Sequence, residues 1–101
     1  ISFESFVAEE IMRGFQCTLT AGIDFYFYRT RDKSEIDLIV DAPFGVIPIE
    51  IKLGHKIKKG MLTALKNFLK DTNAPLGILV NNSDKIEFLA DNIMQIPARY
   101  F

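Results

Sequence analysis

Two short apolar segments, each interrupted by acidic residues, constrain this chain more than any other feature. They span residues 35–40 (Glu-Ile-Asp-Leu-Ile-Val) and 47–52 (Ile-Pro-Ile-Glu-Ile-Lys). Aliphatic and β-branched residues favour strands, and Pro43 and Gly45 between the segments predict a turn. The pattern therefore predicts two neighbouring strands joined by a tight connection.

Side chains of a strand alternate between the two faces of a sheet. In the first strand, this alternation predicts one apolar face formed by Ile36, Leu38 and Val40. Asp37 is then expected on the opposite face. In the second strand, Glu50 and Lys52 fall on the same face.

An ionised carboxylate inside an apolar strand is costly to bury unless it is paired or binds a metal. If the two strands are neighbours, Asp37, Glu50 and Lys52 converge, and two carboxylates then lie beside one ammonium group. Hard divalent cations such as Mg²⁺ prefer carboxylate oxygens. The alternative is structural: both acids are exposed at a sheet edge and pair with Lys52 or an arginine.

An Asp on one strand followed by Glu-X-Lys on the next resembles the PD-(D/E)XK nuclease superfamily. The chain is more closely similar to the uncharacterised domain that follows an AAA+ ATPase module in many prokaryotic proteins. Four segments carry this resemblance in order: Phe-Glu-X-Phe-Val at 3–7, an aromatic-Arg strand leading into Glu-Ile-Asp at 27–37, Pro-Ile-Glu-Ile-Lys at 48–52, and Ile-Pro at 96–97.

The resemblance implies a restriction-endonuclease-like fold and a Mg²⁺ or Mn²⁺ site. Asp37 and Glu50 would be metal ligands together with the main-chain carbonyl of Ile51, and Lys52 would be the catalytic lysine. Glu4, on the first helix, would be a further catalytic acid. The alternatives are that Glu9 or Glu10 takes its place, or that an N-terminal acid simply favours the helix dipole.

A lysine cluster follows the second strand, at Lys56, Lys58 and Lys59. Such a cluster is a candidate DNA contact, since lysines neutralise phosphates. Lysines in the first turn of a helix also oppose its dipole, which favours that interpretation. The alternative is an ordinary solvated helix face.

The remaining pattern predicts an α/β domain with a mixed sheet. Helices are expected at 2–16 and 55–72, and strands at 25–30, 34–41, 46–52, 76–80, 85–89 and 93–96. The first three strands form an antiparallel meander, and the uncharged strand at 76–80 is expected to be buried in a parallel arrangement. Residues 93–96 are expected at the sheet edge.

Length and composition limit the partners. The 101 residues, 49% hydrophobic, predict one domain over 1–101, expected to be the C-terminal part of a longer ATPase-containing protein. A net charge of −1 argues against strong diffuse nucleic-acid binding but leaves room for a local basic patch. The single Cys17 and the absence of a membrane-spanning run favour the cytoplasm.

Two functions follow as hypotheses. The first is a metal-dependent nuclease-like domain that hydrolyses DNA phosphodiester bonds. The second is a non-catalytic module of an AAA+ ATPase that binds DNA, docks a partner or regulates the enzyme. The expected partners are DNA, the ATPase module of the same longer chain, and a second copy of the chain.

Overall fold

A computed structural model describes residues 3–18, 22–26, 36–43, 45–52, 54 and 60–101, with the backbone alone for 3–5 and 15–18. The helices are α1 (Phe3–Thr18), α2 (Thr63–Thr72) and a short 3₁₀ helix, Ala98–Tyr100. The strands are β1 (Asp24–Tyr26), β2 (Leu38–Ala42), β3 (Gly45–Ile51), β4 (Gly77–Asn81), β5 (Glu87–Ala90) and β6 (Ile93–Pro97).

The six strands form one mixed sheet in the order β1-β2-β3-β4-β6-β5. β1, β2 and β3 pair antiparallel, β3, β4 and β6 pair parallel, and β5 pairs antiparallel with β6. The predicted α/β class, with an antiparallel meander and a buried parallel strand, is confirmed. All five residues of β4 are buried, as expected for a strand covered on both faces.

The two long helices pack against opposite faces of the sheet. On the α1 face, Val7, Ala8 and Ile11 form a core with Leu38, Val40, Ile47, Ile49, Ile51, Ile78 and Val80. On the α2 face, Leu65 and Leu69 form a second core with Ile36, Leu79 and Ile93. Within the described residues, neither helix is long and apolar enough to cross a bilayer.

The connection between β2 and β3 is a tight hairpin closed by the pair Ala42 and Gly45. Gly45 has a φ of 138°, a conformation that residues with a side chain rarely adopt. A Cβ at this position would also lie 3.2 Å from the ring of Pro75. Gly45 therefore fixes the register in which β3 runs beside β2.

Three predictions about the elements are corrected. Residues 60–62, expected to be helical, form a turn, because Gly60 has a φ of 81° and α2 begins at Thr63. The segment 93–96 is an inner strand between β4 and β5, and β5 forms the edge. Its inner position fits the alternating burial of Ile93, Gln95 and Pro97. Residues 27–35 and 55–59 lie outside the described residues.

The third correction concerns the face on which Ile36 lies. Ile36 packs in the α2-face core, whereas Leu38 packs in the α1-face core. Ile49 of β3 faces two residues of the neighbouring segment. It accepts a hydrogen bond from the N–H of Asp37, and it is also the pairing partner of Leu38. Two residues facing one is the pattern of a β-bulge, which reverses the alternation at Asp37.

Candidate functional site

The carboxylate of Asp37 binds the backbone of the neighbouring strand. Its Oδ2 atom accepts a hydrogen bond of 2.7 Å from the N–H of Ile51, and its own N–H donates to the carbonyl of Ile49 at 3.0 Å. β2 begins only at Leu38, so the side chain of Asp37 continues the pairing where the regular strand has ended. Asp37 is thereby held against the peptide group that joins Glu50 to Ile51.

The same geometry orients the carbonyl of Ile51. In a strand, the N–H and C=O of one residue point toward the same neighbouring strand. The N–H of Ile51 points toward Asp37, and the N–H of the next residue, Lys52, donates to Val80 of β4 at 2.9 Å. The carbonyl of Ile51 therefore points toward the side on which Asp37 lies.

Glu50 is almost completely buried, with 2% of its surface exposed. Its neighbours Ile49 and Ile51 belong to the α1-face core, so alternation places Glu50 on the α2 face, beside its parallel partner Leu79. Its Oε2 atom is buried, and no hydrogen bond to this atom is found from the part of the chain that the structure describes, although the residue makes other interactions. A buried carboxylate in an apolar strand needs compensation, which an ion pair or a cation provides.

Lys52 follows directly and is half-buried. The N–H of Lys52 donates to Val80, so the hydrogen bonding between β3 and β4 continues to this residue. Because side chains of a strand alternate between the two faces, Lys52 is placed on the same face as Glu50. It also makes interactions of its own. Asp37 therefore lies beside the backbone of β3 at Ile51, in the same stretch of the strand as Glu50 and Lys52, and their joint role as a site stays a prediction.

The other predicted site residues are not all described. The side chain of Glu4 and the whole of Lys56, Lys58 and Lys59 lie outside the described residues, so their roles stay predictions. Of the alternative acids on α1, Glu9 is exposed, and Glu10 pairs with Arg13 at 2.8 Å.

Sequence reasoning missed a buried polar network at the ends of β4 and β6. Asn81 donates from Nδ2 to Oε1 of Gln95 at 3.0 Å, and its Oδ1 accepts from the N–H and hydroxyl of Ser83. Arg99 donates to the carbonyls of Ser83 and Asp84. Two sequence features could have indicated this network. One is a single glutamine, Gln95, inside an apolar strand, and the other is the Asn-Asn-Ser segment at 81–83, directly after the predicted strand at 76–80.

Two relationships place this network near the candidate site. Gln95 lies in one row with Leu79 and Glu50 across β6, β4 and β3 on the α2 face. Asn82, next to Asn81, donates its N–H to the carbonyl of Gly54 at 2.8 Å, two residues beyond Lys52. The network therefore holds the β4 end against the segment that leaves β3.

The described residues contain no group of three or more His, Cys, Asp or Glu side chains placed to hold a metal ion. Within that part of the chain, the oxygen donors at the site are the two carboxylates and the carbonyl of Ile51. A cation held there would use few protein ligands, as Mg²⁺ commonly does.

Comparisons with known proteins give one family. The sequence model of a domain of unknown function (DUF4143) matches residues 1–101, which is the entire chain. No curated protein and no solved structure matches significantly.

Proposed function

The chain belongs to the DUF4143 family, and on this premise we propose that it is a metal-dependent nuclease-like domain that hydrolyses DNA phosphodiester bonds. Asp37, Glu50 and the carbonyl of Ile51 hold the cation, and Lys52 acts beside it. The resemblance of the Asp and Glu-X-Lys segments to the PD-(D/E)XK superfamily agrees with this chemistry.

One observation carries the proposal: the carboxylate of Asp37 is bonded to the peptide that joins Glu50 to Ile51. This hydrogen bond holds the carboxylate of Asp37 beside β3, the strand that supplies the buried carboxylate of Glu50 and leads into Lys52. Glu50, with 2% exposure, supplies a second carboxylate from the strand that Asp37 binds, which a divalent cation could share with Asp37.

The donor atoms are of the kind that Mg²⁺ or Mn²⁺ prefers, since all of them are hard oxygens. Such a cation, when bound, supplies Lewis-acid chemistry that polarises a phosphate and makes water more acidic. The bond from Ile51 fixes the orientation of Asp37 before any cation arrives, which lowers the entropic cost of binding.

Lys52 supplies a positive charge one residue beyond the carbonyl of Ile51. From there its ammonium positions the attacking water or stabilises the negative charge that develops on the phosphate. Lys56, Lys58 and Lys59 follow within seven positions in the sequence and are proposed to contact the DNA backbone. In a longer protein, an AAA+ ATPase module is the proposed partner of this domain.

The second candidate is a non-catalytic module that binds DNA or docks a partner for such an ATPase. The observation that favours it is exposed apolar surface on β5, where Phe88 is 60% exposed. In this case, Glu50 and Asp37 serve only to shape the end of β3.

Cleavage assays separate the two candidates. Labelled single-stranded, duplex and branched DNA would be incubated with the protein and Mg²⁺ or Mn²⁺, alongside Asp37→Ala, Lys52→Ala and a chelator. Lys70→Ala is the matched control, because Lys70 is an exposed lysine on α2.

The nuclease proposal expects cleavage by the wild type and Lys70→Ala, and its loss in both site variants. Equal cleavage by the wild type and Lys52→Ala would identify a contaminating nuclease and remove the proposal. DNA binding without cleavage under all conditions would favour the second candidate.

A further inference from the structure

β5 is an edge strand with an amphipathic arrangement. Among the described strands it pairs with β6 alone. Glu87 pairs with Gln95, which places Glu87 on the α2 face, and Phe88 pairs with Met94 on the α1 face. Lys85 and Ile86 directly precede the strand. The side chains of Lys85 and Glu87 form an ion pair at 3.6 Å, as expected for residues on one face.

The α1 face of this edge carries exposed apolar side chains. Ile86 is 49% exposed and Phe88 is 60% exposed. The α1-face core gathers residues from β2, β3 and β4, and its partly buried rim reaches Ile96 of β6. Ile86 and Phe88 lie beyond that rim, so they present apolar surface directly beside an open backbone edge, a combination typical of strand-pairing surfaces.

The backbone at Ile86 points outward. The carbonyl of Lys85 accepts a hydrogen bond from Nε2 of Gln95, so it points toward β6. Successive residues of a strand direct their N–H and C=O groups to opposite sides. Ile86 directly precedes β5, which begins at Glu87. Continued in the extended conformation of that strand, its N–H and C=O point away from β6, where another strand can pair with them.

The sequence around Ile86 is self-complementary in charge. In an antiparallel pairing of two copies centred on Ile86, Lys85 of one copy lies opposite Glu87 of the other, and the reverse pair forms as well. Centring the pairing on Lys85 or on Glu87 would instead place like charges opposite each other, which is unfavourable. The register shift between Phe88 and Ala90 disfavours a centre further along the strand.

We propose that β5, together with Lys85 and Ile86 directly before it, is a homodimerisation edge, at which a second copy of this chain pairs antiparallel about Ile86. The two Ile86 residues exchange backbone hydrogen bonds, as a twofold, self-complementary interface requires. Lys85 and Glu87 of both copies form a square of alternating charges on the α2 face. Phe88 packs diagonally against the partner copy's apolar side chains on the α1 face.

Charge reversals test the register. Lys85→Glu and Glu87→Lys each place like charges opposite one another in a homodimer, so each variant alone is expected to dimerise at least about tenfold more weakly. An equimolar mixture of the two is expected to form a heterodimer, because the acidic side chains at both positions of the first variant then face basic side chains in the second. Neither variant retains the intrachain pair between positions 85 and 87, so recovery in the mixture reports the contact between copies.

Sedimentation velocity over roughly a hundredfold range of protein concentration measures these equilibria. A fluorescent label on one variant identifies the heterodimer. Arg13→Glu, an exposed charge reversal on α1, is the control and is expected to dimerise like the wild type. Circular dichroism establishes that every variant is folded.

High salt should weaken the heterodimer, since exposed charge pairs are screened. A wild type that stays monomeric throughout, or a dimer unaffected by either reversal, would overturn the proposal. Failure of the mixture to recover the dimer would overturn the register centred on Ile86.

Discussion

Asp37 and Ile51 are joined by a 2.7 Å hydrogen bond in which a side-chain carboxylate takes the place of a backbone carbonyl. The bond lies at the position where the alternation of the first strand is reversed, between Ile36 on one face and Leu38 on the other. Asp37 therefore extends the hydrogen bonding between the two strands by one bond, and its carboxylate also lies beside the peptide group that joins Glu50 to Ile51. Measurements of stability without metal and of metal binding separate these two roles.

Asp37→Ala, measured without divalent metal, is expected to lower the free energy of unfolding by about 1–2 kcal/mol. The physical reason is that the N–H of Ile51 loses its acceptor in a partly buried position. Asp37→Asn keeps an oxygen acceptor and is expected to lose less. Urea denaturation measures both variants, and equal stability of Asp37→Ala and the wild type would show that the bond contributes nothing.

Gly45→Ala is expected to destabilise the chain by about 1–3 kcal/mol. Alanine is strained at a φ of 138°, and its Cβ would approach the ring of Pro75 to 3.2 Å. Thermal or urea unfolding measures the loss. In a Pro75→Ala background the loss should shrink without disappearing, because only the steric part is relieved; an unchanged loss would assign the whole effect to the backbone.

Asn81 and Gln95 are expected to be energetically coupled. Asn81→Ala removes three hydrogen bonds from a buried network and should cost about 2–4 kcal/mol. A double-mutant cycle with Gln95→Ala, followed by urea unfolding, should give a coupling energy of about 1 kcal/mol or more. Additive losses would mean that the two side chains act independently.

Lys52→Met is expected to keep the fold and metal binding but to reduce DNA cleavage by at least about a hundredfold. Methionine keeps most of the aliphatic length of lysine and removes the charge. Single-turnover cleavage measures the rate, with Lys66→Met on α2 as the control for loss of an exposed lysine. A variant that cleaves at the wild-type rate would exclude Lys52 from the chemistry.

Much of this fold was predictable because its strands are short apolar runs bounded by Pro, Gly and Asn. β3 and β4 were predicted within one residue of their bounds, and their burial follows from β-branched composition. The position of β6 was not predictable from its own sequence. Strand order depends on pairing between distant segments, and the side chain of Gln95 is hydrogen-bonded to Asn81, Lys85 and Glu87, which lie 8 to 14 positions away in the sequence.

At the candidate site, the sequence did not predict the irregular backbone at Asp37. Simple alternation placed Ile36 with Leu38, whereas the bulge at Asp37 separates them onto different faces. A bulge leaves no local signal when the residues on both sides are aliphatic. The bond from Asp37 to the backbone of Ile51 depends on that irregularity, so it emerges only from the folded chain.

Thermal unfolding in the presence of increasing Mn²⁺ tests most directly whether Asp37 and Glu50 hold a common cation. A metal ion that binds only the folded state raises the free energy of unfolding by about 2.7 kcal/mol when its concentration is a hundredfold its dissociation constant. We predict a rising Tm for the wild type and for Asp71→Asn, which changes an exposed acid in the last turn of α2, and no rise for Asp37→Asn or Glu50→Gln. A wild type whose Tm does not respond to millimolar Mn²⁺, or four proteins that respond equally, would contradict the account.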